Sequence, residues 1–565
     1  MDERPRRGSG TRLATVGVVL VLAWTMVGYR LTVVQGARAE EFAARGLDQR
    51  LQHRTLPADR GTIFDRDGRE LAVSVESVSV YANPFEMQDP ARVASLLAPL
   101  VGRDMIDLLA DFTDGSAFVY VARQMDPADT QAIRDAELPG VYFLTEPKRV
   151  YPTAELAAHV VGFVREADNV GLEGLELQYD NALSGTPGEL LVERDPAGRV
   201  IPQGEYRVVP AEPGSDLVLT IKSEIQYAAQ QALSEAIERT GAVSGSVVVI
   251  DPETGEVLAM VSLPSYDPSD RASIDEDAVR NRTVTDVFEP GSTQKLVTIS
   301  AALEAGLVTP DTLFDIPDKI EIDDTTFEDS TIHPSTLTVS EIVANSSNLG
   351  TILVGDLLGA RLLQTFMSAF GEGTMTGIDF PGEVGGALLP SDEWCPTTCL
   401  AGTSIGYHVA VTPLQMAAVY ATIANDGVWV QPHLVREIVD GSGTRTAMKA
   451  LERRVVSQTT AEEMRAMLAQ VVEQGTGSLA SVPGYRVGGK TGTTEKYLAD
   501  TQSYSEDQVV ASFIGMAPID DPKVVIAVVL DSPVEYATGG SGAAPVFSAV
   551  MLAALNQLGV PQDAP

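Results

Sequence analysis

Three short stretches of the sequence carry side chains whose types and spacing can do covalent chemistry. Ser292-Thr293-Gln294-Lys295 is an S-x-x-K, Ser346-Ser347-Asn348 an S-x-N, and Lys490-Thr491-Gly492-Thr493 a K-T-G-T. A serine hydroxyl is a weak nucleophile until a neighbouring base takes its proton. Residues i and i+3 share a helix face, so the Lys295 amine can reach the Ser292 hydroxyl. A buried lysine beside a second cation, here Lys490, gives up its own proton more readily. Ser346 offers a hydroxyl for a proton relay, and Asn348 an amide to orient a substrate carbonyl. The backbone N–H groups of Ser292 and Thr493 are the expected oxyanion donors. Thr491, Gly492 and Thr493 are the expected substrate-binding strand, with Gly492 bare so that a substrate backbone can lie against it.

Each motif alone has a plainer reading. Ser292 can be an N-cap, Asn345 to Asn348 a polar turn, and Lys490 a solvated strand end. The order of all three within one domain points to acyl transfer. Lysine usage points the same way. Of 40 basic residues 32 are Arg and 8 are Lys, and two of those eight fall on the motifs. Arginine does not deprotonate and its fork is broad, so neither place suits it.

The elements that must position these residues are legible in outline. Phe288-Glu289-Pro290-Gly291 breaks the chain before Ser292, and Leu296 to Ala305 continues as a helix. That puts Ser292 at a helix N-terminus, where developing negative charge is favoured. Strands are expected over 484–494, 509–517 and 523–530, with a last helix over 543–558. A strand over 217–221, a helix over 223–240 and a hairpin over 245–264 precede a helix-rich middle from 292 to 424. Strands at both ends with helices between them predict an α+β, three-layer domain whose sheet gathers distant segments. Upstream, the pattern predicts a helical stalk over 40–56, a turn at Asp67-Gly68, and an alternating strand over 71–81. Helices are expected over 90–113, 127–136 and within 171–188. The Pro-, Gly- and Glu-rich stretch 202–216 reads as a linker.

The N-terminus is basic, with Arg4, Arg6, Arg7 and Arg12, and an apolar run follows from Leu13 to Val34, interrupted by Arg30. The run matches the ~20 residues that span a bilayer, and the flanking charges place the N-terminus inside and the remainder outside. Ala37-Arg38-Ala39 has the form of a signal-peptide cleavage site, but the run exceeds a usual signal core. With 565 residues, 44% hydrophobic, the chain exceeds one ordinary core. Forty basic against 78 acidic residues give −38, a field that repels phosphate backbones and argues against nucleic-acid binding. Two cysteines exclude a disulfide scaffold and a four-cysteine zinc module.

With these residues in view, the chain resembles the class B penicillin-binding proteins, their FtsI-like division-specific peptidoglycan D,D-transpeptidases above all. Further stretches carry the resemblance: Arg60–Ala72, Gly171–Gly188, Leu263–Pro268, Asn281-Arg282-Thr283, Asp286–Ser292 and Val411–Gln415. It implies a cytoplasmic tail over 1–12, a transmembrane anchor over 13–34, and a non-catalytic, dimerisation-like pedestal over 35–202. A linker over 203–216 and a β-lactamase-like transpeptidase domain over 217–560 complete it, an antiparallel sheet with helices on both sides. It implies that Ser292 attacks the penultimate D-Ala of a peptidoglycan stem peptide, and that β-lactams acylate Ser292 as mimics. Lys295, Ser346, Asn348, Lys490 and Thr493 carry over position by position. The implied partners are stem peptides, β-lactams, the membrane glycan polymerase and other division proteins, with no metal or organic cofactor.

The chain departs from the family at Gln294, where an apolar residue is usual, and at His408, where glycine is common. His408 is expected to pack rather than catalyse. Cys395 and Cys399 are close enough for a bridge in an exported setting, and the sequence leaves their state open. Rival readings are an elongation-type transpeptidase, a β-lactamase-like hydrolase, an assembly factor, a penicillin sensor, and an α/β-hydrolase built on Gly402-Thr403-Ser404-Ile405-Gly406. The last lacks the strand–turn–helix context and the downstream acid and histidine that motif needs. The acidic stretch 311–329 is expected as a solvated hairpin rather than a calcium loop.

Overall fold

The computed structural model describes residues 9–48, 50–194, 201–270, 274–323, 325–498 and 503–564. They form two compact units, one of residues 1–58 with 186–212, the other of 59–185 with 213–565.

The first unit begins with helix α1 (Ser9–Thr32), whose apolar side chains are exposed. At ~1.5 Å per residue its 24 residues reach about 36 Å, enough for a hydrocarbon core. The expected 40–56 stalk is helical only over Ala39–Asp48. Leu51–Leu56 is instead a strand, antiparallel to Gly188–Glu193, which pairs in turn with Tyr206–Val209. The last strand lies inside the stretch read as a linker. Pro and Gly occupy the ends of that stretch, while Tyr-Arg-Val-Val between them turns back to pair with Gly188–Glu193, which pairs in turn with the distant Leu51–Leu56. Local composition does not report such a partner.

In the second unit, the helix over 90–113 is two, Pro90–Val101 and Met105–Thr113, separated by Gly102 in the left-handed region. The alternating strand runs over Glu70–Ala82 and pairs with both Val119–Met125 and Val141–Val150. Its sheet continues through Ile63–Phe64 to Asp216–Leu219 and Val435–Val439, so the pedestal segment and the flank of the C-terminal part share one sheet. Within the pedestal segment a buried ion cluster ties residues far apart in sequence. Arg60 and Arg149, 3% and 7% exposed, both reach Glu176, 0% exposed. The distances are 2.5 Å from Arg60 Nε and 2.7 Å from Arg149 Nε. Arg60 Nη1 also donates to Asp180 at 2.7 Å, and Arg149 Nη1 to the Gly61 carbonyl at 2.8 Å.

The C-terminal part is the expected three-layer arrangement. Its helices are α2 (Ser223–Thr240), α3 (Lys295–Glu304), α4 (Val339–Asn345), α5 (Asn348–Phe370), α6 (Pro413–Ala424), α7 (Gln458–Glu473) and α8 (Ala544–Gln557). The strands of its sheet are β1 (Ser244–Ile250), β2 (Val257–Leu263), β3 (Gly488–Leu498), β4 (Ser503–Ala517) and β5 (Val524–Asp531). They run antiparallel in the order β2-β1-β5-β4-β3. Side chains of β1 alternate between two cores. Val247 and Val249 pack with α2 and α8, and Val248 and Ile250 with α3 and α6. Both faces are covered, which is why these strands are continuous apolar runs instead of alternating ones. Besides the N-terminal helix, α5 and Gly539–Gln557 are long and apolar enough to cross a membrane. Both fill these cores, which accounts for their apolar composition.

Removing the carboxylate of Glu176 leaves two buried guanidinium groups without their shared partner. Glu176→Ala is expected to lower folding stability by about 3–5 kcal/mol, read as a fall in Tm. Any penicillin reactivity that survives should remain directed to the same residue.

Candidate active site

The nucleophile turn is built by close packing. Gly291–Gln294 is one 3-10 turn that runs directly into α3. Gly291 has φ 53°, and a Cβ there would run into the Thr494 hydroxyl of β3. The Gly291 N–H donates to the Gly406 carbonyl at 3.1 Å, and the Tyr420 hydroxyl of α6 donates to the Thr293 carbonyl at 3.0 Å. Thr298 donates to the Ser404 carbonyl at 2.8 Å. Ser404 itself is buried and its hydroxyl donates to Leu400, so the G-x-S-x-G stretch is a brace for α3.

Lys295 and Lys490 are 0% and 1% exposed. Lys295 Nζ donates to the Ser346 carbonyl at 2.6 Å and to Asn348 Oδ1 at 2.7 Å, with Ser346 Oγ at 3.3 Å. Lys490 Nζ donates to Ser346 Oγ at 2.8 Å. The Ser346 and Ser292 hydroxyl oxygens are 3.2 Å apart. Direct contact between Lys295 and Ser292 was expected; instead both lysines donate to the Ser346 hydroxyl, and Ser346 donates to Ser292. Ser346 holds this central place from a left-handed backbone, φ 58°, where α4 ends and α5 begins. Such a conformation in a non-glycine residue is costly and occurs where function needs it.

Burial pushes the Lys295 amine well below its ordinary pKa, the Lys490 charge pushes it further, and Asp329 opposes them. Burial lowers Lys490 to about 7. A neutral Lys295 has two N–H bonds for its two short contacts to proton-free oxygens. Its lone pair is then left for a hydroxyl proton.

Strand β3 is the sheet edge, so its outer backbone is open for pairing. The expected reason for Gly492 changes. A Cβ there would run into the Ser512 hydroxyl and stand 3.1 Å from the Pro290 carbonyl, so the glycine lets β3 approach the nucleophile turn. Thr491 is buried, its hydroxyl 2.8 Å from that of Thr476, whereas Thr493 is exposed and accepts from the Gly539 N–H at 3.0 Å. Of the expected substrate-binding trio, only Thr493 presents its side chain.

Sequence reasoning missed Asp329 and Glu372. Asp329 ends the acidic stretch, whose hairpin is Ile320–Ile322 with Thr325–Phe327. Unlike the solvated rest it turns inward and caps α5, accepting from the N–H groups of Asn348 and Leu349. Gln294, the departure beside the nucleophile, is buried and donates to Glu372 Oε2 at 3.0 Å. Burial pushes Glu372 up to about 8. Gln294 Oε1 and Glu372 Oε1 otherwise lack partners, and a protonated carboxyl supplies the one donor the pair needs. His408 adopts φ 62°, which accounts for the glycine common there, and its N–H donates to Glu289 at 2.8 Å. Cys395 and Cys399 are joined as a disulfide, Cα–Cα 5.2 Å.

Comparison with known proteins agrees with this geometry. Residues 245–552 match the penicillin-binding protein transpeptidase domain, and 55–219 the penicillin-binding protein dimerisation domain. The chain is 35% identical to a probable peptidoglycan D,D-transpeptidase, PbpC, of Pseudomonas aeruginosa, over 98% of this chain and 96% of that one. It is 32% identical to the peptidoglycan D,D-transpeptidase FtsI of Escherichia coli, over 98% and 93%. Penicillin-binding protein 3 of Mycobacterium tuberculosis, solved with aztreonam, superposes with TM-score 0.72 at 31% identity, covering 91% of this chain and 99% of that one.

The Glu372 carboxyl sets a pH dependence with a definite sign. Its folded pKa lies above the unfolded value, so the unfolded chain releases the proton first and stability falls as pH rises from about 4.5 to about 8. Glu372→Gln can pair with Gln294 in both directions and has nothing to titrate. Its advantage in folding stability, read as a rise in Tm, should be absent near pH 4 and grow to on the order of a few kcal/mol by pH 8.

Proposed function

The chain belongs to the class B penicillin-binding proteins and is a serine-type peptidoglycan D,D-transpeptidase, a target of β-lactams; from this we propose that it cross-links stem peptides at the division septum with Ser292 as nucleophile. The observation that carries the assignment of Ser292 is its hydroxyl, 3.2 Å from Ser346 Oγ, on which two buried lysines converge.

In this reading the Ser292 proton passes to Ser346 as Ser346 passes its own to the neutral amine of Lys295, while Lys490 holds the compensating charge. The freed oxygen attacks the penultimate D-Ala carbonyl of a donor stem peptide. The oxyanion faces the N–H groups of Ser292 and Thr493 at the start of the nucleophile turn. Collapse breaks the C–N bond, and the departing D-Ala takes the proton back along the same relay. An amine of a second stem peptide then attacks the ester and gives up a proton, and Ser292 leaves with its hydroxyl restored. Asn348 orients the donor amide, and the open edge of β3 with Thr493 pairs with the donor backbone. A β-lactam follows the first half only, because its opened ring remains tethered.

The apolar N-terminal helix fits a membrane-anchored protein. We place its N-terminus in the cytoplasm, on the basic residues before the helix, and the catalytic part outside. Anchor and pedestal are then the surfaces for the membrane glycan polymerase and other division proteins.

Mass spectrometry of the protein treated with penicillin should find the adduct on Ser292, and Ser292→Ala should lose it. Retention of labelling in Ser292→Ala with loss in Ser404→Ala would refute the assignment. Lys490→Arg keeps charge but not shape, and should slow acylation by roughly 100-fold or more. In rod-shaped cells, depletion should give filaments, with Ser292→Ala recruited to the septum yet unable to sustain division. Rounded cells would assign the enzyme to elongation.

A further inference from the structure

The S-x-N segment is held by a side chain outside the three motifs. Asp329 accepts four hydrogen bonds. Its Oδ1 takes the N–H groups of Asn348 and Leu349, the latter at 3.1 Å, and its Oδ2 takes the Ser347 hydroxyl at 2.7 Å and His333 Nε2 at 2.6 Å. Four donors on two oxygens describe a carboxylate. These bonds outweigh burial and hold its pKa below the usual carboxylate value.

The other ring nitrogen of His333, Nδ1, lies 2.8 Å from the Pro334 carbonyl. A carbonyl and a carboxylate accept only, so both ring nitrogens must donate, which only the imidazolium can do. The His333 and Asp329 side chains are 9% and 7% exposed, so water does little to replace the contact between them, whereas the Pro334 carbonyl lies at the exposed side. The charged groups around them are few. Glu341 of α4 is engaged with Thr338, and Asp315 with Thr336. Glu328 offers its backbone carbonyl to Asn348 Nδ2 at 3.1 Å, and Lys295 faces Asn348 from α3. Asp329 is thus the one carboxylate bonded to His333 among the described residues.

We propose that His333 is a positioning residue: as an imidazolium it clamps Asp329 onto the N-terminus of α5 and so sets Asn348 against Lys295. Asn348 is fixed from both ends, its N–H and Nδ2 by Asp329 and Glu328, and its Oδ1 by Lys295. When His333 loses its proton, the remaining N–H stays on the stronger acceptor, the Asp329 carboxylate, the Pro334 contact becomes acceptor against acceptor, and the clamp loses its charge and its second anchor. The hydrogen bond to Pro334 raises the His333 pKa most; burial lowers it, and Asp329 raises it further. The charged clamp is therefore complete below the ordinary histidine value and reduced to one neutral hydrogen bond as pH rises through the raised one. An enzyme whose catalytic part faces the cell exterior meets such changes directly. The inference rests on Ser292, Lys295 and Asn348 forming the acylation site.

The test is the second-order rate of acylation by a fluorescent penicillin, measured on the full chain in detergent from pH 5.5 to 9. His333→Gln, His333→Lys and the unaltered protein are compared. The unaltered protein should exceed His333→Gln by about tenfold at pH 5.5, the loss of one charged hydrogen bond. The ratio should fall toward one at pH 9. His333→Lys keeps a cation throughout, so its rate relative to His333→Gln should not fall over the same range. A ratio of unaltered protein to His333→Gln that is constant with pH overturns the proposal. If His333→Gln does not fold, the ring ¹⁵N shifts of His333 decide, assigned by elimination against the other four histidines. Two protonated nitrogens at pH 6 support the clamp, and a neutral tautomer there overturns it. An adduct absent from Ser292 in the unaltered protein overturns the site itself; an adduct on Ser292 with a flat ratio overturns only the clamp.

Discussion

Lys295 and Lys490 end at one hydroxyl, that of Ser346, in a place from which water is excluded. Two ammonium groups so placed repel each other, and neither has a carboxylate as a direct partner. The low-cost state keeps one amine neutral, and the pair titrates as a unit. That constraint places a proton acceptor one hydroxyl away from Ser292. It also dictates what surrounds it: carbonyl and amide oxygens for the N–H bonds of Lys295, and an anion, Asp329, one residue contact away. Arginine could meet neither demand, because it stays charged and spreads that charge over a fork.

The remaining architecture holds that arrangement still. The nucleophile turn is gripped by β3 on one side, by Gly406 and Ser404 on another, and by Tyr420 of α6 behind. Gly291 and Gly492 are glycines because the turn and the strand come together too closely for a methyl group. Gln294 and Glu372 insert a polar pair where an apolar contact would do, and its low energy depends on a proton. Away from the site, Arg60, Arg149 and Glu176 tie distant parts of the pedestal segment to one another through one buried network. Such clusters are poor sources of stability but intolerant of losing one member.

The acidic composition finds its explanation in placement. A balance of −38 excludes little about an enzyme whose substrate is a peptide and whose two central lysines are buried. Within that field Lys295 and Lys490 are informative, because both are buried where a compact or deprotonatable cation has a task.

The chemistry was legible in the sequence because the motifs are local: Ser292 and Lys295 lie one turn apart, and Ser346 and Asn348 flank one helix junction. The order of elements was legible as well, since hydrophobic period and turn residues report which face of a segment is buried. Strand Tyr206–Val209, the break in the 90–113 helix and the inward turn of Asp329 were not, because each depends on a contact outside its own segment or on one residue's backbone angle. Tertiary structure alone decided that Ser346, rather than Lys295, is the neighbour bonded to Ser292, that Gly492 serves packing, that Gln294 meets Glu372, and that Cys395 bonds Cys399. Those outcomes turn on distances of a few ångströms between segments that share no local pattern, and such distances exist only once the chain has folded.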